Sequence, residues 1–339
     1  MPRPRKFSGP LQPGKRSAKV PKRAPRSGLN KTEVKQTKQI VKTAIKKEHA
    51  LKYFHSQDSD NALSPTVSGV SNRNQVSVVA FSSTTEFDNN SAAEFYGTQE
   101  LQPLYLARPF KPTSGDALKE QALNGQNCIP KIARSTFSIE RVAYAVAHAQ
   151  GGTTNPTPNM ARSLPIGYRI IKVGYKPSAG TQQTNNLSLD MFLDTAGQAC
   201  GIDSDNFDRM DCQYAAINTK KYTKIMDVHG VLHQNNIITP SDFAGQLTDI
   251  VTGKPGICYK HMTVPFQLSQ RKNGKLFYDE STAPGTKTFT SGGKRELVLF
   301  HFWYLNGHTL LGAEGQPQAP TSDDIQIKSR NLSAFVDAN

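Results

Sequence analysis

Cysteine is scarce in this chain. Its 339 residues hold four, Cys128, Cys200, Cys212 and Cys258, far apart and without CxxC spacing. That excludes a disulfide-dense secreted scaffold and a zinc module; four reduced thiols in an intracellular setting are expected. Long apolar runs are lacking too. Mean hydropathy is −0.53, and no stretch approaches the roughly 20 apolar residues of a spanning helix, so no membrane insertion is expected. The charged N-terminus has no apolar h-region behind it, so no secretory signal is expected either.

Catalytic motifs are equally absent. There is no GxSxG elbow, no Walker-type phosphate loop and no GxGxxG before a helix. Gly292-Gly293-Lys294 lacks the upstream glycine and the following Ser/Thr of a phosphate loop and reads as a hairpin turn. His229 and His233 have HxxxH spacing, but the Glu of HExxH is missing. In a strand-like run, residues four apart share a face yet lie about 13 Å apart, too far for one metal ion. Asp203, Asp205, Asp208 and Asp211 crowd GIDSDNFDRMD and could offer oxygens to calcium. The EF-hand spacing fails there, so a solvated loop is expected, with Asp203, Asp205 and Asp208 the weak calcium candidates and no metal assigned. His301 reads as a packed strand residue, and Trp303 with its aromatic neighbours as core or subunit contact. No pair of groups takes acid and base roles, so neither an enzyme nor a cofactor is expected.

What the chain has is charge, unevenly placed. The net charge is +14, with 41 Lys and Arg against 27 Asp and Glu. Residues 1–54 hold 16 of the bases and only Glu33 and Glu48, which leaves 25 bases and 25 acids for 55–339. A neutral body therefore carries a polycationic arm. Like charges hold such a segment extended until a polyanion neutralises them, and each cation that meets a phosphate releases counterions without reading sequence. Prolines at 2, 4, 10, 13, 21 and 25 prevent a helix over 1–29, which is expected to be disordered when free. From Asn30 the character changes. Asn30 with Glu33 resembles a capping arrangement, and Val34, Val41, Ala44 and Ile45 recur at helical spacing among lysines, so a basic amphipathic helix is expected over 31–50. The candidate nucleic-acid-binding residues are Arg3, Arg5, Lys6, Lys15, Arg16, Lys19, Lys22, Arg23, Arg26, Lys31, Lys35, Lys38, Lys42, Lys46 and Lys47. The arm has only Phe7 among its bases over 1–29, so base stacking is not its mode. KRAPR and GKR would also serve as nuclear-import signals, with host import receptors as partners.

Beyond a Ser/Asn-rich linker at 55–74, short β-rich runs alternate with turn residues. Strands are expected at 75–82, 102–109, 135–148, 166–176, 186–194, 222–233, 257–268, 286–290, 295–305 and 324–336. Leu187, Leu189, Met191 and Leu193 alternate with Ser188, Asp190 and Phe192, and LVLFHFWYL (297–305) is apolar on both faces, as a strand covered on each side would be. A short helix is expected within 112–126. Long connections favour an all-β antiparallel sandwich of Greek-key type, and the eight-stranded jelly roll with extra strands and long loops is the architecture expected. It would span 75–310, followed by a C-terminal segment 311–339 with one strand.

A neutral sandwich with a polybasic arm is the physical plan of a small icosahedral coat protein. At +14 per copy, 60 copies supply about 840 charges and 180 copies about 2,520, which suits a single-stranded genome of a few thousand nucleotides. The order EHALKYF, IGYRIIKVGYK, NLSLDMFLDT, NTKKYTKIMDVHGVL and ELVLFHFWYL, over about 48–310, resembles capsid proteins of circular Rep-encoding single-stranded DNA viruses, circovirus-like or bacilladnavirus-like. The arm departs from that pattern in mixing Lys with Arg where many relatives are almost pure Arg. The resemblance implies a single viral jelly roll, self-assembly into a virion, packaging of a single-stranded DNA genome and an assembly phase in the host nucleus, with a cell-surface receptor as a further partner. A coat protein of a small positive-strand RNA virus shares the sandwich and the arm. A non-viral β-domain, a lectin or chromatin factor with a basic tail, is the other alternative.

Overall fold

Strand β3 (Asn127–Arg141) illustrates how the sequence builds the body: Ala133, Ser135, Phe137, Ile139 and Arg141 are buried, while Arg134 and Thr136 between them are exposed. A period of two is that of a strand with one dry face. The computed structural model describes residues 30–48, 51–61, 64–65, 76–83, 95–106, 125–141, 144–145, 165–176, 186–205, 207–233, 237–240, 247–251, 257–279, 288–291, 293–305, 319–322 and 324–337. The chain divides into two units, Met1–Ala50 and Leu51–Asn339.

The second unit is an antiparallel β-sandwich. Its principal strands are β1 (Lys52–Asn61), β2 (Ser77–Ser82), β3, β4 (Ile166–Tyr175), β5 (Tyr222–Leu232), β6 (Tyr259–Pro265), β7 (Glu296–Tyr304) and β8 (Ile325–Asp337). Sheet 1 runs β1-β8-β3-β6 and sheet 2 runs β5-β4-β7-β2, every one of these neighbours antiparallel. A hairpin of Leu276–Asp279 and Thr288–Ser291 extends sheet 1 beside the start of β3. Ser64–Pro65 and Gln102–Pro103 flank β2 in sheet 2.

Between the sheets lies one apolar core. Sheet 1 contributes Phe137, Ile139, Val264, Ile325 and Ile327; sheet 2 contributes Phe81, Ile170, Val298, Phe300 and Phe302. Phe81, Phe137 and Phe300 form a tilted three-ring cluster across the gap, with centroids 5.1 to 5.6 Å apart. A second core covers the other side of sheet 2, where Val78, Ile171, Leu297, Leu299 and Trp303 pack against Tyr96, Phe192, Phe207 and Cys212. Both faces of β7 are thus dry, as its unbroken apolar run requires. Gly167 is forced by the same packing: a Cβ there would lie 2.5 Å from the Trp303 indole nitrogen.

Several expected elements differ. The run 186–194 is not one strand. Leu187–Asp190 is a helical turn, α2, capped by the Asn186 side chain, and only Phe192–Leu193 is extended. The alternation misled because Ser188 and Asp190 are buried with hydrogen-bond partners while Leu189 is 42% exposed. Residues 52–61, assigned from sequence to the arm and linker, form the edge strand β1. Its polar composition shows no apolar alternation; pairing with β8 makes it a strand. The segment expected at 135–148 begins at Asn127, and Leu104 and Leu106 of the expected 102–109 strand are buried outside any strand. The C-terminal strand, β8, is central to sheet 1, between β1 and β3. The helix expected within 112–126 falls outside the described residues but for its last two. All four cysteines are free thiols, and burial pushes those of Cys128 and Cys212 up to about 12. No helix among the described residues is long and apolar enough to cross a membrane.

Candidate nucleic-acid interface

The described part of the arm is a helix, α1 (Lys31–Glu48). It starts where the capping signal predicts. The Asn30 side-chain oxygen accepts from the backbone N–H groups of Thr32 and Glu33 at 2.9 Å each, and Glu33 returns the contact by accepting from the Asn30 N–H at 2.8 Å. Helical geometry then sorts the lysines. Positions 31, 35, 38, 42 and 46 recur every four or three residues and fall on one face, a row about 22 Å long. Positions 34, 41 and 45 form an apolar stripe beside it. The sequence carries this row openly, in its four-three-four-four spacing. Lys31, Lys35 and Lys38 are exposed. Arg3, Arg5, Lys6, Lys15, Arg16, Lys19, Lys22, Arg23 and Arg26 lie outside the described residues.

Of the weak calcium candidates, Asp208 caps a helix. The Asp208 carboxylate accepts from the Asp211 N–H at 2.9 Å, and the Asp211 carboxylate accepts from the Asp208 N–H at 3.1 Å, a reciprocal cap that starts the short helix α3 (Arg209–Tyr214). Burial raises the Asp203 carboxyl. No group of three His, Cys, Asp or Glu among the described residues could hold a metal ion. His229 sits within β5 as a strand residue with its Nε2 3.2 Å from Asp227, and His233 follows the strand's end.

His301 is wholly buried in β7. Its Nδ1 lies 3.2 Å from the Arg169 carbonyl, which can only accept, so Nδ1 carries the proton and Nε2 accepts from the Tyr96 hydroxyl at 2.7 Å. Burial, helped by the Arg169 charge, lowers the imidazole to about 3. In the unfolded chain it titrates near 6.5. Below that value the unfolded state takes a proton that the folded state refuses, so stability falls as the pH drops from 6.5 towards 3. Between pH 7 and pH 5 this one group should remove about 2 kcal/mol. Thermal melts at both pH values should show the loss, with a shallower fall for His301→Gln; equal falls would assign the acid sensitivity to other groups. Such a histidine ties Tyr96, in the hairpin of Phe95–Tyr96 with Gln99–Glu100, to the sheet and stays neutral near pH 7.

A further basic surface arises only in the fold. The outer face of sheet 1 is a grid in which Pro265, Arg134 and Leu332 share one row, Thr263, Thr136 and Arg330 the next, and His261, Ser138 and Lys328 the third. Arg134, Lys328 and Arg330 are exposed. These cations lie up to 196 residues apart in sequence, so no local pattern could reveal them. No protein-family model matches the chain, and no curated protein matches it either.

Proposed function

We propose that this chain is a structural coat protein that self-assembles into an icosahedral shell and packages a single-stranded DNA genome through its polybasic arm. The observation that carries this assignment is the separation of roles: all net positive charge lies in residues 1–54, joined to a β-sandwich body that is neutral in sum. The strand order supports the finer architecture. Among the principal strands, numbered along the chain, 1-8-3-6 faces 2-7-4-5, the order that the double Greek key of an eight-stranded jelly roll would have. Such a body buries its sheets on each other and presents loops and edges for contact with further copies, 60 or 180 in a closed shell. A row of lysines on α1 and the bases before it neutralise phosphate without reading sequence. The import-type runs KRAPR and GKR fit assembly in a host nucleus.

Electron microscopy of the expressed full-length protein should show closed shells, and their cargo should resist RNase and yield to DNase once the shells are opened. Monomers or small oligomers at neutral pH would overturn the coat assignment. RNA cargo from infected material would keep the coat and replace the genome type.

A further inference from the structure

The body is neutral in sum but not in distribution. On the far side of sheet 2 the segment 186–218 supplies much of the second core and carries six aspartates, at 190, 194, 203, 205, 208 and 211, against one base, Arg209. On the opposite side of the sandwich, the bare face of sheet 1 presents Arg134, Lys328 and Arg330. Lys328 and Arg330 stand two residues apart on β8, about 6.8 Å, and Arg134, on the adjacent strand one row beyond Arg330, lies diagonally about 8 Å from it. None of the three has an ion-pair partner among the described residues. Beyond Arg134 the patch continues. The tight turn Arg271–Gly274 reaches this end of β3, with Lys131 Nζ 3.5 Å from the Asn273 side-chain oxygen, and it brings exposed Arg271 and Lys272. Among the described side chains, the acid that shares the face is Glu140 at another margin, engaged by the Ser138 hydroxyl. Near Glu140, Tyr259 and His261 expose a pair of rings 4.9 Å apart.

We propose that the outer face of sheet 1 is a second phosphate-binding surface, which takes a single strand of nucleic acid across β6, β3 and β8 in addition to the arm. Its ligand class rests on the proposed packaging role. Cations spaced by the strand period can meet successive phosphates of an extended backbone, and the exposed Tyr259 ring offers a base a sequence-tolerant stacking surface. The opposite sign on the segment 186–218 repels the same strand, so the body itself has a nucleic-acid side.

The test measures full-length protein binding to a fluorescein-labelled oligothymidylate between about 50 and 200 mM salt. Three phosphate contacts on a single strand contribute about 2 to the slope of log K against log salt. The triple variant Arg134→Glu, Lys328→Glu and Arg330→Glu should lose that much slope and bind ten- to a hundredfold more weakly near 0.1 M. The triple glutamine variant, which adds no repulsion, should lose the same slope and melt like wild type. An unchanged slope in the glutamine variant overturns the proposal. Electron microscopy of the same samples separates the two claims: shells with an unchanged slope keep the coat and remove the second surface, while a reduced slope without shells in wild type keeps the surface and removes the coat.

Discussion

Arg169→Met should destabilise the body by about 3–5 kcal/mol, the usual cost of removing one partner from a buried ion pair. Arg169 projects from β4 into the second core and is 3% exposed. Its Nε and Nη2 donate to the two oxygens of Asp227 at 2.9 and 3.0 Å, a bidentate pair that a lysine could not reproduce. The same guanidinium donates to the carbonyls of Cys212 and Ala215 at 2.8 and 3.0 Å, at the C-terminal end of α3. Methionine would leave a buried carboxylate and two buried carbonyls short of donors. Desolvation by burial would raise the Asp227 carboxyl, but hydrogen bonds from Arg169 and Lys224 outweigh it and hold the group well below the usual carboxylate range. A depressed carboxyl contributes stability above its unfolded value, near 3.9, and the contribution fades as the pH falls below it. The melting temperature at pH 7 should drop on the order of 10 °C. Adding Asp227→Asn to the variant should cost little more, because the pair acts as a unit. A shift below about 2 °C for Arg169→Met alone would show that the packing of α3 against sheet 2 does not depend on this contact.

Removal of Met1–Ala50 should leave a folded body and abolish most nucleic-acid binding. Among the described residues, both apolar cores are built wholly from positions beyond 75. The remaining chain has 26 bases against 25 acids. If each net charge lost had met one phosphate, the salt slope would fall by roughly 9, which amounts to several orders of magnitude in affinity near 0.1 M. Particles assembled from the truncated chain should show a lower 260 to 280 nm absorbance ratio, and deletion of 1–29 alone should give an intermediate value. A ratio equal to that of the full-length shells would move the packaging function from the arm to the body.

The two results probe links of different legibility. The sandwich was visible in sequence where one physical signal dominated: LVLFHFWYL is apolar enough to be covered on both faces, and β4 and β7 occupy the strands expected at 166–176 and 295–305 almost to the residue. The cap of α1 was equally plain, since Asn30 and Glu33 need only their own neighbours. Segments whose structure is imposed from afar were not visible. KYFHSQDSDN has no strand pattern of its own and is held by β8, more than 260 residues later. In NLSLDMFLD the alternation was real, but Tyr222 and Lys221 supply partners that let Asp190 be buried, and the backbone turns there. The basic grid on sheet 1 belongs to the same class, because register between distant strands, not spacing along the chain, assembles it.

Pairing of β1 with β8, closed by the Lys52–Asp337 ion pair at 2.7 Å, joins the first strand of the body to the last. The sandwich therefore cannot be sealed before β8 has been made. At about 5–20 residues per second, the interval between emergence of β1 and completion of β8 is roughly 15–60 seconds. Throughout it the lysine-rich leader is already outside the ribosome, while the half-built sheets still expose their apolar faces, so the order of translation gives the polycation its first encounters before the wall it belongs to exists.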